Sequence, residues 1–401
     1  MAKKALAKKL TVKVPALGAQ RYDVRIGSGL LAGAVDGLVT AGMGVLVVID
    51  HNLSRERVES VLRSLDQAKC RWGVSVVTAT EADKSLLAVE RGLAEAARLR
   101  LGRDGLVVAL GGGIVCDVAG FIAATFARGV RVVQCPTTLL AMVDASVGGK
   151  TGVNITIAGS DGKPRLLKNM VGAFHHPVRV VCDVQTLASL PLREMRCGLA
   201  ECVKHAIIGG VAGETKLFAW TQKNLAGFFK LDPKPLCELI ARNVAIKAKV
   251  VSKDPLELSS GQDGGRMMLN LGHTFAHVLE TTPGLSWRQT DGSIQIGPLK
   301  HGEAVGLGLL CAARVATGLK LEKPRLADAT LAMLTAIGLP TAIEGLPDGA
   351  ALVERMLDDK KAKDGKVRLI LPAAGGGKCK VVATTPARLV IGAFDSLRAP
   401  T

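Results

Sequence analysis

Residues 106–154 read LVVALGGGIVCDVAGFIAATFARGVRVVQCPTTLLAMVDASVGGKTGVN. The first five positions are apolar and few, the pattern of a strand buried on both faces. Gly111, Gly112 and Gly113 follow, and then small and apolar residues at helical spacing. Strand, glycine turn and helix start together let backbone N–H groups approach a phosphate. A second strand is predicted over 130–134. Pro136-Thr137-Thr138 and then Gly148-Gly149-Lys150-Thr151 come after it. Two polar loops therefore leave the ends of neighbouring strands, and the rest of the chain is read outward from this floor.

Upstream, residues 45–50 (VLVVID) predict a buried strand that ends in Asp50, with Asn52 just beyond. Ser54 is placed to cap a helix over SRERVESVLRSL. A strand over 74–77 leads into Glu81-Ala-Asp-Lys84. The helix predicted over 85–100 is amphipathic, with Arg91, Arg98 and Arg100 outward. Weak alternation over 11–30 predicts a hairpin. Downstream, 155–167 reads as a loop or hairpin excursion and 178–183 as another strand. After Leu190-Pro191 the alternation stops, and the pattern is helical to about Gly349. Residues 367–383 predict a terminal pair of strands. Alternating strands and helices predict a parallel sheet. The expected organisation is a basic arm over 1–10, a Rossmann-like α/β dinucleotide-binding domain over 11–190, and a mainly helical domain over 191–401.

With hydrophobic residues at 48% but aromatics at 3%, the core must be aliphatic. No apolar run is long enough to span a membrane, and MAKKALAKKL lacks the apolar segment of a secretory signal. The nine cysteines form no C-x-x-C pair, which fits reduced thiols and a cytoplasmic protein. A net charge of +17 raises the question of nucleic acid. The basic residues are scattered, however, and one tyrosine offers little to stack bases. A basic site for an anionic substrate is the better reading, with no nucleic acid and no membrane as partner.

Four side chains suggest a metal. Glu201 and Lys204, in GLAECVKHAII, share one helix face at i, i+3. His273 and His277, in LNLGHTFAHVLE, do so at i, i+4, and His301 opens another apolar helix in LKHGEAVGLGLL. A carboxylate and two imidazoles would leave an open position on a catalytic zinc. Spacing alone gives Glu201 with two of the three histidines, the third being free to move protons. Lys150, Lys168, Lys247, Arg266 and the Lys360-Lys361 pair lie beside glycines or apolar runs, as in a pocket for an anion with several charges. Arg266, Asn270 and His273, at i, i+4, i+7, are expected on one helical face. A dinucleotide, a divalent metal and an anionic substrate suggest hydride chemistry at an alcohol. Asp50 precedes the glycine turn by about sixty positions, whereas the acid of the ordinary dinucleotide fingerprint follows it by about twenty.

These motifs resemble the 3-dehydroquinate synthase family over roughly residues 40 to 372. The most specific are GGGIVCDVAGF, RGVRVVQCPTTLLAMVDASVGGKTGVN, KNMVGAF, LPLRE, GLAECVKHAI, LNLGHTFAH, HGEAVGLG and DDKK, in the family's order. The resemblance implies Glu201, His273 and His301 as ligands of zinc, with cobalt an alternative, and His277 near the substrate phosphate. It implies contacts to NAD from Asp50, Asn52, Glu81, Lys84, Gly112, Gly113, Ile114, Asp117, Thr137, Thr138, Asp144 and Lys168. Substrate contacts are implied for Lys150, Asn169, Lys204, Lys247, Arg266, Asn270 and Lys360. Arg128 would reach the phosphate site of a second copy in a homodimer. The implied reaction is that of a phosphorus–oxygen lyase in the shikimate pathway. A heptulosonate phosphate is transiently oxidised by NAD, loses phosphate, is reduced again, and closes to 3-dehydroquinate.

The chain departs from the family's pattern in its long 155–167 segment, in Asp254-Pro255, and in Phe174-His175-His176. Neighbouring sugar-phosphate cyclases, making 2-deoxy-scyllo-inosose or valiolone-type rings, share the metal motif. The set Lys150, Asn169, Arg266, Asn270 and His277 favours a substrate that carries a carboxylate. A metal-dependent polyol dehydrogenase would release NADH and need no phosphate pocket.

Overall fold

The computed structural model describes residues 21–399 apart from 160–161, 163, 260–264, 290, 359–361, 364–365 and 374–376. The expected arm over 1–10, the first half of the expected hairpin, and Lys360 lie outside the described residues.

The first half of the chain runs β1 (Asp23–Gly27), β2 (Gly44–Asp50), α1 (Arg55–Gln67), β3 (Arg71–Val77), α2 (Leu86–Arg98), β4 (Leu106–Gly111), α3 (Gly113–Thr125) and β5 (Arg131–Pro136). The pair β6 (Lys150–Ala158) and β7 (Pro164–Phe174) follows, and then β8 (Arg179–Asp183). Six of these strands form one parallel sheet in the order β1-β8-β5-β4-β2-β3. Continuous Val and Leu runs demand cover on both faces. Leu46, Val48, Val107 and Ala109 pack under α2 and α3, while Val45, Val47, Val108 and Leu110 pack on the side of α1. Since the strands are parallel, the loops after β2, β3, β4 and β5 all leave the same edge.

Three expectations can be followed here. Residues 23–27 pair in parallel with β8, Asp23 opposite Arg179, while the other half of the expected hairpin lies outside the described residues. Val24 and Ile26 give the reason, since they pack against the core of the helical half. The turn after β1 is fastened to the end of β8, where Asp183 accepts the N–H groups of Gly29, Leu30 and Leu31 at 3.0, 2.7 and 3.2 Å. Ser54 does precede α1, but its side chain makes no capping bond, whereas Ser85 caps α2 through Ala88 N. The 155–167 segment belongs to the antiparallel β6–β7 hairpin, which has a bulge between Val153 and Ile155.

The second half contains α4 (Leu192–Ile208), α5 (Leu217–Phe229), α6 (Pro233–Lys253), α7 (His273–Glu280), and the short strands β9 (Ser286–Arg288) and β10 (Ile294–Ile296). After these come α8 (His301–Gly318), α9 (Pro324–Ile337), α10 (Gly349–Asp358), β11 (Ala362–Lys363), β12 (Lys366–Val367), β13 (Leu369–Ala373), β14 (Lys378–Val382) and α11 (Ala387–Asp395). The β9–β10 pair interrupts the expected helical run. The expected terminal strands pair as β13–β14. Helix α8 is apolar nearly all round and buried, as its sequence requires. One core joins α4, α6, α7 and α8 to Val180 and Cys182 of β8 and to Leu139 and Met142.

Candidate active site and metal centre

Three helices bring the metal candidates together: α4 carries Glu201 and Lys204, α7 opens on His273, and α8 opens on His301. They approach closely where α8 presents glycine. A Cβ on Gly302 would lie 2.3 Å from Cys197 Cα of α4, and one on Gly308 would lie 2.2 Å from Gly272 O at the start of α7. Arg193 of LPLRE fixes the start of α8 by gripping Glu303 of HGEAVGLG through two bonds of 2.7 Å. Glu303 also accepts Lys300 N at 2.7 Å.

Glu201 is fully buried. Its Oε1 lies 3.7 Å from His273 Nε2 and 3.4 Å from His301 Nε2, and one ligand atom from each residue fits within 4.8 Å of the others. Lys204 pairs with Oε2. Otherwise the carboxylate oxygens receive no hydrogen bond. A buried carboxylate with Lys204 on one oxygen and two imidazole nitrogens facing the other fits a divalent cation. The outer bonds set the tautomers. His273 Nδ1 donates to Leu271 O at 3.2 Å and His301 Nδ1 to Glu280 at 2.8 Å, so both Nε2 atoms are turned to the centre. Burial pushes His273 down to about 3, helped by the Lys204 ammonium, so its ring stays neutral. Burial would also lower His301, but the Glu201 and Glu280 carboxylates outweigh it and raise that ring to about 10.

His273 also lines a cavity of about 470 Å³, with Lys150, Asn169, Lys204, Lys247, Arg266, Asn270, Asp117 and Asp144. Asp144, expected beside the cofactor, is paired with Lys247 and lies 3.7 Å from Lys204. Burial would raise its pKa, but the two ammonium groups hold the carboxyl well below the usual range. Those lysines move in opposite directions. Burial lowers Lys247, whereas for Lys204 the Asp144 and Glu201 charges overcome burial and raise it. Arg266 donates to Gly148 O at 2.7 Å and Pro255 O at 2.6 Å, and its guanidinium lies 5.3 Å from the Phe174 ring centre. Arg266, Asn270 and His273 do not share one helix, however. Residues Gly265–Asn270 form a 3₁₀ turn, and Gly272 breaks the path at φ 80° before α7 begins. All three nonetheless line the cavity.

Most of the expected cofactor residues fall along the carboxyl edge of the sheet. Asp50 ends β2 and accepts Asn52 N at 2.9 Å. Gly112 precedes α3, whose first turn has no side-chain cap, and Gly113, Ile114 and Asp117 lie on that helix. Thr137 and Thr138 follow β5. Lys84 bonds Asp117 at 2.6 Å and Asn169 at 2.5 Å, while Glu81 accepts Asn154 Nδ2 at 2.8 Å. Lys168, on β7, lies 3.7 Å from Glu280. His277 lies outside the triad, its ring centre 6.2 Å from that of His273. Arg128 is exposed on a turn where Ala127, Arg128 and Gly129 all have positive φ, and it does not line the cavity.

Sequence reading passed over Glu257, Glu280 and Asn154. Glu257 pairs with Lys150 and accepts Asn270 Nδ2 at 3.3 Å. Glu280 was signalled, standing at i+7 from His273 and i+3 from His277 on the same face. Asn154 ends the quoted stretch and also accepts Asn169 N at 2.9 Å, which no local pattern announces.

A sheet with a dinucleotide-type glycine turn, facing a Glu/His/His centre across a cationic cavity, defines a metal-dependent α/β enzyme for an anionic substrate. Models of the N-terminal and C-terminal parts of 3-dehydroquinate synthase match residues 74–197 and 198–362. The 3-dehydroquinate synthase of Xanthomonas campestris pv. campestris (strain 8004) is 41% identical over 368 residues, 91% of this chain and 93% of that protein. The chain belongs to the 3-dehydroquinate synthase family. Among solved structures, the 2-epi-5-epi-valiolone synthase of Streptomyces hygroscopicus subsp. jinggangensis 5008, with NAD⁺ and Zn²⁺ bound, superposes with a TM-score of 0.77. It is 25% identical, with 96% of this chain and 99% of that one covered. A 2-deoxy-scyllo-inosose synthase complexed with carbaglucose-6-phosphate, NAD⁺ and Co²⁺ shares the fold, with a TM-score of 0.75, 23% identity, and 92% and 95% coverage.

Proposed function

We propose that this chain, as a homodimer, converts 3-deoxy-D-arabino-heptulosonate 7-phosphate to 3-dehydroquinate and phosphate. The observation that carries the reading is that His273 belongs both to the Glu201/His273/His301 centre and to the wall of a cavity lined by Lys150, Lys204, Lys247 and Arg266. Glu201, His273 and His301 would hold Zn²⁺, with Co²⁺ suited to the same donors, and the ion when bound polarises the substrate alcohol. NAD would lie along the carboxyl edge of the sheet, at the uncapped start of α3, and supplies a hydride acceptor that is regenerated each turnover.

The protein's own groups chiefly bind and orient. Lys204, kept charged by Glu201 and Asp144, holds a substrate oxygen beside the metal centre. Lys150, Asn169, Arg266 and Asn270 hold the anionic ends, with Lys360 and His277 at the phosphate. Arg128 reaches that phosphate from a second copy. Burial destabilises the Lys247 ammonium, which disposes that lysine to give up a proton. The substrate's phosphate takes the proton that leaves with it, so no strong protein base is required.

Purified protein with NAD⁺ and Zn²⁺ should release phosphate from the heptulosonate phosphate without accumulating NADH. Release from sedoheptulose 7-phosphate, and not from the acid, would reassign the chain to the carboxylate-free cyclases. Net NADH formation on a polyol would make it a dehydrogenase. Glu201→Ala and His301→Ala should lose zinc and activity together, and stoichiometric zinc in both would sink the ligand set.

A further inference from the structure

Glu280 ends α7 with its side chain only 9% exposed. Its Oε1 accepts a hydrogen bond from His301 Nδ1 at 2.8 Å, and its Oε2 faces Lys168 Nζ at 3.7 Å. Lys168 stands on β7, whose hairpin springs from the sheet half of the molecule, next to Asn169, which is bonded to Lys84 at the cofactor edge. Glu280 thus has one oxygen on a residue of the metal centre and the other on a cation of the opposite half.

We propose that Glu280 is a positioning residue that couples cofactor binding to metal binding through the chain Lys168–Glu280–His301. This rests on the metal and cofactor reading given above. Two physical steps carry it. A carboxylate on Nδ1 holds the His301 ring with Nε2 facing Glu201 and makes that nitrogen a stronger donor. A lysine on the far oxygen draws charge away from this bond and weakens the effect. When Lys168 turns to the anionic cofactor, its hold on Glu280 relaxes and the carboxylate's charge returns to His301. Zinc then binds more tightly with NAD⁺ present and, by reciprocity, NAD⁺ binds more tightly with zinc present, by the same factor. Lys168 is partly exposed, so the coupling is modest, about two- to fivefold.

The test measures zinc affinity of metal-stripped full-length protein by competition with a chromophoric chelator, with and without saturating NAD⁺. Wild-type protein should gain the two- to fivefold with NAD⁺. Glu280→Ala should bind zinc about 10- to 100-fold more weakly. Glu280→Gln, a conservative replacement that keeps an acceptor for Nδ1–H, should lose less and no longer respond to NAD⁺. Lys168→Met should bind zinc at least as tightly as wild type without NAD⁺ and gain nothing from it. The visible spectrum of Co²⁺-loaded Glu280→Ala should shift, as a purely structural role at the end of α7 would not require. Wild-type zinc affinity in Glu280→Gln and Glu280→Ala, or an undiminished NAD⁺ effect in Lys168→Met, overturns the proposal while leaving the metal reading intact. Failure of wild-type protein to bind zinc overturns both.

Discussion

Asp144 shows most sharply how one side chain sets the charge state of its neighbours. It sits between two buried lysines whose mutual repulsion it offsets. Removing one charge of such a buried network costs about 3–5 kcal/mol, because its partners stay desolvated without a counter-ion. Asp144→Asn is expected to lose that much stability in urea denaturation at neutral pH. Phosphate release should fall at least about 100-fold, as when one preorganised electrostatic group is removed. The pH dependence follows from the depressed folded-state pKa of Asp144. Its contribution is complete above the unfolded value of about 3.9 and disappears as pH falls through the lower folded value. Thermal melts of wild type and Asp144→Asn should therefore differ by a constant amount from pH 8 to about pH 5 and converge only in stronger acid. In sequence, Asp144 was marked only by the family resemblance, as a cofactor contact, and its two lysine partners come from α4 and α6, far along the chain.

At the scale of elements, the site depends on how three helices meet. Gly272 carries φ 80° at the entrance to α7, and a Cβ there would stand 2.9 Å from Leu309 N of α8. Gly272→Ala combines a left-handed backbone cost with that overlap, and about 2–3 kcal/mol of stability should be lost. Because His273 is the next residue, zinc content should fall in the same variant even where it remains folded. Urea titration together with metal analysis of the folded fraction checks both, and a variant with full zinc and unchanged midpoint would contradict this account. The sequence placed a helix across Arg266, Asn270 and His273 because the polar spacing is helical. Gly272 breaks it because only a sharp turn lets α7 lie against α8. Helices whose pattern is strongly periodic, α1 and α2, needed no such correction.

Across the whole molecule, the proposed ligands come from three helices of one core, so a bound metal would tie that core together. A ligand at about a thousandfold excess over its dissociation constant adds about 4 kcal/mol to the folded state. Stripping the metal with a chelator should therefore lower the melting midpoint by several degrees, with recovery on adding Zn²⁺. An unchanged midpoint would mean that the centre binds too weakly to matter. The described surface has no helix long and apolar enough to cross a membrane. Sedimentation of the purified protein should give a dimer, and Arg128→Ala should lower phosphate release without changing zinc content. Normal turnover in that variant would remove Arg128 from the phosphate site.

The sequence by itself determined the parallel sheet, because Val- and Leu-rich strands alternating with amphipathic helices can bury their faces in few other ways. It also marked much of the site, Glu201, three histidines and a set of lysines and arginines beside glycines, but not Glu257, Glu280 or Asn154. Spacing did not determine which histidines converge, since i, i+4 puts His273 and His277 on one face equally well, and only the family resemblance pointed to His273 and His301. Packing decided that. Helix α8 enters beside α4 and α7 through its glycines and brings His301, a hundred positions from Glu201, to within 3.4 Å of its carboxylate. The parallel pairing of β1, the pairing of Glu257 with Lys150 and the contact of Lys168 with Glu280 were likewise fixed by tertiary contacts. Periodicity reports which face of an element is buried, and only the packed chain decides what lies against it.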